Sequence, residues 1–207
     1  MGFFDEFKKN AGGLFNQGSA GNAGNMVNGA GGLVNGIKNM AGNKTVDVSF
    51  MRIPESLDEF KSLPQAACST PFDAAALTVL ALCCYPKNKE MALSMLDFIR
   101  GPRPLSGMDK QFINDRFMDG KDYVPRSYFK GATPQNDYTP AVPYTITISE
   151  NPYSYQDQGY AKLYVQSGGA DSPRAIQLRM LKDGKWCLWE QFILSDIRQP
   201  ESANPCA

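Results

Sequence analysis

The sequence predicts an α+β fold in which about three helices pack on an antiparallel β-meander of four or five strands. Three observations lead to this prediction. One alternating segment lies near residue 45, segments with helix-capping signals and helical apolar spacing follow it, and the remaining segments with alternating apolar and polar residues come last. This order is typical of folds in which helices cover one face of an antiparallel sheet.

Composition and charge exclude several classes of protein. The chain has 207 residues, 43% of them hydrophobic and 20% charged, with 21 basic and 21 acidic residues and a formal net charge of zero. These values exclude a wholly disordered chain and a strongly basic nucleic-acid binder. No apolar run reaches the roughly 18 residues of a membrane-spanning helix. Because the chain contains no histidine, catalysis by Ser-His-Asp or Cys-His groups and most zinc and haem sites are excluded as well.

Composition also divides the chain near residue 45. The first 44 residues contain 11 glycines and 8 asparagines, two residue types that are poor helix formers. Residues 1–44 are therefore predicted to form a low-complexity tail. Residues 45–200 have an ordinary globular composition and are predicted to form one α+β domain, and residues 201–207 are predicted to form a flexible C-terminus.

The N-terminal tail also carries apolar side chains, some of them four residues apart, as on one face of a helix. Two interpretations stay open: a flexible low-complexity tail, or a conditionally helical segment that docks on a membrane surface or a partner. Self-assembly through the tail is a further alternative. The apolar residues that carry the docking hypothesis are Phe3, Phe4, Phe7, Leu14, Phe15, Leu33, Val34 and Ile37.

Capping signals predict the helices. Thr70 and Asp73 have the spacing of a capping box, which opens a helix over residues 72–84. This helix is expected to be central, because it is apolar on every side. A second helix is predicted over residues 88–99, and a third opens at Ser106. The third helix is expected to face inward with Met108, Phe112, Ile113 and Phe117.

Alternation of apolar and polar residues predicts the strands. The alternating segments are residues 45–53, 144–149, 160–167, 174–182 and 185–190. Asp183-Gly184 is a strong hairpin-turn signal between the last two. In the strand over residues 160–167, Ala161, Leu163 and Val165 are expected to face the helices.

The opposite face of these strands is a candidate binding surface. It mixes aromatic rings with cations, as protein interfaces and single-strand nucleic-acid binders do. Three interpretations stay open: cover by the chain's own loops, a protein interface, and nucleic acid, which the neutral net charge disfavours. The candidate residues on this face are Tyr160, Lys162, Tyr164, Arg179, Lys185 and Trp189.

A second candidate site is the segment between Asp119 and Pro143, which has no clear periodicity. Long irregular segments in compact domains often carry function, but aromatic rings also fix such segments to the core. The aromatic residues in question are Tyr123, Tyr128, Phe129 and Tyr138.

The case for an enzyme depends on scattered groups. Cys68 precedes a helix start, where a thiol pKa can be lowered, and carboxylates or tyrosines could meet in a cleft between helices and sheet. No catalytic residue, metal ligand or cofactor motif is assigned. The chain has an odd number of cysteines, five, and none of them form a CxxC pair. This pattern predicts buried thiols in a reducing compartment and hence a cytoplasmic location.

Two stretches resemble known proteins. The opening nine residues, MGFFDEFKK, resemble the starts of phage-shock-type bacterial proteins that meet the inner face of the membrane through an amphipathic helix. Residues 54–200 resemble an uncharacterised domain of Firmicute bacteria. The matching features are Ser56–Phe60, Thr70–Asp73, Ser167–Arg174, Trp186, Trp189 and Ile197-Arg198. The resemblance implies a bacterial, cytoplasmic protein, and it assigns no activity or catalytic residue to this chain.

The sequence therefore predicts a non-enzymatic interaction or scaffold protein. Its folded domain is expected to bind a protein partner that the sequence does not identify, while its tail docks on that partner or peripherally on the inner face of the membrane. The alternatives are an enzyme with a carboxylate, tyrosine or Cys68 site, and a single-stranded nucleic-acid binder that uses the outer sheet face.

Overall fold

The computed structural model describes residues 43–203, and it confirms the predicted α+β fold. Five helices and five strands form in this range. The helices are α1 Leu57–Ser62, α2 Pro71–Cys84, α3 Lys89–Arg100, α4 Gly107–Arg116 and α5 Tyr123–Arg126. The strands are β1 Thr45–Phe50, β2 Tyr144–Ser149, β3 Tyr160–Val165, β4 Arg174–Met180 and β5 Trp186–Gln191. Three short 3-10 helices, Pro64–Ala67, Pro134–Asn136 and Glu201–Ala203, complete the regular structure of this range.

The strands form one antiparallel sheet in the order β1-β2-β3-β4-β5. β1 precedes all the helices, and β2 to β5 follow them. β1 pairs with β2 along its whole length, from Thr45 opposite Ser149 to Phe50 opposite Tyr144. The sheet is thus a meander whose first connection contains every α-helix of the described range.

Helix α2 forms the centre of the core. It opens with the predicted capping box: the backbone N–H of Asp73 donates to Thr70 Oγ1 at 3.2 Å, and the backbone N–H of Thr70 donates to Asp73 Oδ2 at 3.0 Å. All its residues except Asp73 and Cys83 are buried. It contacts all five strands on one side and α3 and α5 on the other, which is why its sequence is apolar on every face.

Helix α4 differs from the prediction, because only part of the expected inward set is covered. Ile113 is 3% exposed, whereas Met108 is 85% exposed and Phe112 is 40% exposed. The Phe117 ring stacks on Tyr85 with the ring centroids 4.3 Å apart. Because Ile113 is the only buried residue of α4, the helix lies at the rim of the core, where a narrow apolar stripe is sufficient.

The segment between Asp119 and Pro143 is fixed to the core rather than displayed. Tyr128, Phe129 and Tyr138 are each at most 1% exposed. The hydroxyl of Tyr128 donates to the carbonyl of Ile193 at 2.6 Å, and that of Tyr138 donates to the carbonyl of Arg198 at 2.7 Å. The candidate loop site is corrected accordingly: these three rings are buried packing groups.

The remaining loop residue, Tyr123, is half-buried, and its ring stacks on that of Tyr138 with centroids 5.4 Å apart. Phe129 forms a β-bridge with Ile146 of β2. The segment therefore adds backbone pairing to the first half of β2, and its four aromatic residues support the sheet instead of a partner surface.

The glycine-rich connection between β3 and β4 packs closely on this aromatic segment. The backbone N–H of Gly168 donates to the carbonyl of Ser127 at 2.9 Å, and the hydroxyls of Ser167 and Ser127 lie 2.8 Å apart. A Cβ at Gly168 would overlap the backbone oxygen of Ala132, and a Cβ at Gly169 would overlap the hydroxyl of Tyr138. Only glycine permits two chain segments to approach this closely.

Candidate binding site on the outer sheet face

The alternation of β3 and β4 places the predicted aromatic and cationic residues on the sheet face away from α2. Tyr160 lies directly opposite Arg179, and Lys162 lies opposite Gln177. Between them, Ala161 is completely buried. Lys162 and Arg179 are exposed and Tyr160 is half-buried, so the face is open to solvent at these positions.

Four side chains on this face form a continuous set of contacts, named here the aromatic–cation row: Tyr160, Arg179, Trp189 and Arg103. The Tyr160 and Trp189 rings meet edge to face with centroids 5.6 Å apart. The guanidinium carbon of Arg179 lies 5.4 Å from the Tyr160 centroid and 4.7 Å from that of Trp189. That of Arg103 lies 4.3 Å from the Trp189 centroid. Each distance is within the range of a cation–π contact.

Strand alternation places Trp189 on this face, because it lies two residues after Cys187, which pairs with Arg179. The register between β4 and β5 then shifts so that Leu178 pairs with Leu188 and Gln177 pairs with Glu190, which leaves Trp189 without a partner across the ladder. Trp189 is thus the extra residue of a β-bulge, and its ring contacts Tyr160 and Arg179.

The sequence analysis missed Arg100, the last residue of α3, and Arg103, which lies in the turn between α3 and α4. Gly101 ends α3 with a positive φ of 60°, a conformation that favours glycine. The turn folds back so that Arg100 Nε donates to the carbonyl of Arg103 at 2.9 Å. The signal was the Arg-Gly-Pro-Arg-Pro run after the helix, but nothing local in that run points to Trp189.

The six sheet-face residues predicted from sequence divide into two groups. Tyr160, Arg179 and Trp189 contact one another. The structure does not bring the other three, Lys162, Tyr164 and Lys185, into the row. Tyr164 lies four residues beyond Tyr160, roughly 13 Å along the strand, and Lys185 lies just before β5 with its Nζ 3.9 Å from Asp183 Oδ2.

Two cavities flank the turn between α3 and α4. The larger, of about 670 Å³, lies between this turn and the β4–β5 hairpin, and the smaller, of about 230 Å³, lies toward α4. Arg100, Arg103 and Trp189 line both, and Arg179 lines the larger one. The row thus borders a cleft whose charged groups are mainly cations.

Asp109 of α4 lies at the edge of this cleft. Its carboxylate caps its own helix, accepting from the hydroxyl of Ser106 at 2.7 Å and from the backbone N–H of Ser106 at 2.8 Å. Burial alone would raise the pKa of Asp109, but the Ser106 hydrogen bonds and the charges of Arg100 and Arg103 together lower it. The carboxylate is therefore ionised at neutral pH, and its Oδ2 already accepts the two hydrogen bonds that cap α4.

A family model described as a domain of unknown function (DUF6935) matches residues 52–201, which is more than half of the chain. The chain belongs to the DUF6935 family. The expected resemblance to an uncharacterised domain is confirmed to this extent, while the Firmicute origin and the resemblance of the first nine residues stay predictions. Neither the curated proteins nor the solved structures contain a match to this chain.

The row and Arg100 lie within the part matched to DUF6935, so the candidate site belongs to the family domain. Strand β1 lies before the match, although it completes the sheet. The apolar tail residues between Phe3 and Ile37 lie outside the described residues, as do residues 204–207. Within residues 43–203, no helix has both the length and the apolar character needed to cross a membrane.

Burial raises the pKa of each cysteine thiol in the DUF6935 domain. Burial raises the pKa of Cys68 to about 11, and the neighbouring Asp73 carboxylate adds to the rise. Burial likewise raises the pKa of Cys84 to about 12. It also raises those of Cys83 and Cys187. No group of three metal-ligating side chains occurs in the part of the chain that the structure describes.

We expect the Cys68 thiol to resist alkylation in the folded protein. At pH 7.5 a thiol with a pKa near 11 has more than about 100-fold less thiolate than one with an ordinary pKa near 8.5. Iodoacetamide labelling followed by mass spectrometry of each cysteine should show slow labelling of Cys68 in buffer and fast labelling in urea. Equal rates under the two conditions would contradict the burial of this thiol.

Proposed function

We propose that the DUF6935 domain of this chain is a non-enzymatic binding module that docks an acidic segment of a protein partner on its outer sheet face. The observation that carries the proposal is the aromatic–cation row. Its four side chains form a continuous set of contacts in which Arg179 and Arg103 are exposed within the described residues.

The chemistry of the row favours a protein partner. Tyr, Trp and Arg are enriched in protein interfaces and dominate their binding energy. The Arg179 guanidinium contacts two rings, so it loses less conformational freedom on binding than an unsupported side chain would. A neutral net charge provides little of the general phosphate attraction on which nucleic-acid binding depends.

The charge of the row indicates an acidic partner. Among the described residues, no carboxylate oxygen lies within 4.0 Å of the charged groups of Arg103, Lys162 or Arg179. These three cations are therefore available to a partner's carboxylates. Exposed charges of this kind steer association and are screened by salt, so the proposed complex weakens as ionic strength rises.

The proposal keeps a role for the N-terminal tail as a second docking element on the same partner or on a membrane surface. Its support is the helical spacing of apolar residues such as Phe3 and Phe7, or Leu33 and Ile37. A scaffold that holds a partner at the inner face of the membrane would combine both elements, and a cytoplasmic location follows from that proposal.

Site-specific photo-crosslinking tests the docking face. A benzophenone amino acid at Lys162 of the full chain, expressed in its native cells, should give a discrete protein adduct on illumination. Trp189→Ala in the same chain should suppress that adduct, because loss of a tryptophan hot spot costs about 2 kcal/mol or more of binding free energy. The adduct should also decrease as salt is added to the lysed cells.

Two controls make this result specific. The same probe at Glu90 on the exposed side of α3 should give no such adduct, and Tyr153→Ala, which removes a tyrosine that is 66% exposed outside the row, should leave the Lys162 adduct intact. An adduct that is nuclease-sensitive would favour nucleic acid over protein. Equal adducts at Lys162 and Glu90 would reject the sheet face as the docking surface.

A further inference from the structure

We propose that the larger cavity, between the α3–α4 turn and the β4–β5 hairpin, binds the phosphate monoester group of a small molecule through the guanidinium groups of Arg100, Arg103 and Arg179. The inference concerns the cleft beside the aromatic–cation row, and it stands whether or not a protein docks on the face.

Arg100 is the first observation. Its side chain lines the cavity, yet the residue is only 6% exposed. Of its five N–H donors, only Nε holds a hydrogen bond within the described residues, to the carbonyl of Arg103. The nearest carboxylate oxygen, Asp109 Oδ2, is 3.6 Å from a terminal nitrogen and already accepts two hydrogen bonds from Ser106.

A guanidinium buried to this degree is costly unless its donors are satisfied. Apart from the 3.6 Å contact of one terminal nitrogen with Asp109 Oδ2, the terminal nitrogens of Arg100 hold no partner within the described residues, and the side chain lines a cavity. An anion in that cavity would satisfy several donors at once, in the bidentate geometry that arginine offers to phosphate and carboxylate groups.

The second observation is the balance of charge around the cavity. The guanidinium carbons of Arg103 and Arg179 lie 4.3 Å and 4.7 Å from the same Trp189 centroid, so the two distances together limit their separation to about 9 Å. Lys182 adds a fourth cation, and Asp183 is the single carboxylate in the lining. Three or four cations around one cavity match a phosphate dianion better than a single carboxylate.

The third observation is the rest of the lining, which is apolar. The apolar lining consists of Pro102, Met180, Leu181 and the Trp189 ring, over which Arg103 and Arg179 lie, and Met180 is 45% exposed. The volume of about 670 Å³ lies within the roughly 300–1,000 Å³ of small-molecule sites. The site therefore fits a phosphate group attached to an apolar or aromatic body.

Isothermal titration calorimetry on the full chain tests this site with phenyl phosphate as the probe, at pH 8 and low salt, where the phosphate is a dianion. We expect saturable binding of phenyl phosphate that is tighter than that of inorganic phosphate, and no binding of benzyl alcohol. Arg103→Gln and Arg179→Gln should each weaken the binding at least about tenfold. Both residues are exposed, so neither substitution removes a buried charge, and the variants are expected to stay folded.

Arg52→Gln provides the matched control, because it removes an exposed arginine outside the cavity and should leave the affinity unchanged. Lys162→Gln should also leave the affinity for phenyl phosphate unchanged, because Lys162 belongs to the proposed protein-docking face and not to the cavity lining. A failure of the protein docking and a failure of the phosphate site can therefore be distinguished. Absence of saturable binding, or equal binding by the Arg103→Gln, Arg179→Gln and unsubstituted chains, would overturn the proposal. If a phosphopeptide bound and phenyl phosphate did not, the proposal that the ligand is a small molecule would be overturned.

Discussion

Replacing Gly168 with alanine should destabilise the folded domain by at least about 3 kcal/mol, the upper end of the usual cost of overpacking. The added Cβ would overlap the backbone oxygen of Ala132 and come close to its carbonyl carbon. Ala132 is completely buried, and its own N–H is bonded to the carbonyl of Phe129. Because the obstacle is backbone rather than a flexible side chain, relief requires the β3–β4 connection to move away from the aromatic segment.

Urea denaturation of the full chain measures this effect as a decrease in the free energy of unfolding. Gly107→Ala is the matched control, since a Cβ at Gly107, the first residue of α4, meets nothing within 4 Å. There alanine should be neutral or stabilising by about 0.5–1 kcal/mol, because it restricts the unfolded chain and favours helix. If the two substitutions had the same effect on unfolding, the close approach at Gly168 would be refuted.

Leu80→Ala should cost about 3 kcal/mol of unfolding free energy, within the range of roughly 2–5 kcal/mol measured for buried leucine truncations. Leu80 has no exposed surface, and it lies in α2, which is enclosed by the sheet on one side and by α3 and α5 on the other. A residue enclosed by elements on both sides leaves a cavity that its neighbours cannot easily fill. The cost is therefore expected to include a cavity contribution as well as lost burial.

The comparison for Leu80→Ala is Met108→Ala in α4, where the side chain is 85% exposed. That substitution should change the unfolding free energy by no more than about 0.5 kcal/mol. Thermal and urea unfolding of both variants, followed by circular dichroism, test the contrast. A loss at Met108 as large as that at Leu80 would mean that α4 covers more of the core than the structure shows.

The parts of the fold that depend on local physics were predictable from the sequence. The capping box of Thr70 and Asp73 is satisfied within four residues, so it requires no knowledge of tertiary structure. Strand alternation likewise gave the two faces of β3, because the orientation of a side chain in a strand follows from a period of two.

The parts that depend on docking between distant elements were not predictable. Arg103 contacts Trp189 only because the α3–α4 turn meets β5, and the bulge at Trp189 is a property of the β4–β5 register rather than of either strand. The prediction that Phe112 faces inward was wrong for a similar reason. Helical spacing shows which side chains share a face but not whether another element covers that face. The sequence therefore led to three of the four residues of the row and missed Arg100 and Arg103.

Strand β1 has a kinetic consequence for the whole chain. Its pairing with β2 joins residues such as Ser49 and Thr145, which are 96 positions apart, so closure of this loop carries a large entropic cost that neighbouring strands do not share. β1 is therefore expected to join the sheet late in folding and to leave it early. The chain before residue 43 leads directly into β1. Binding or tension at that part of the chain would therefore act on the strand whose dissociation exposes the edge of β2.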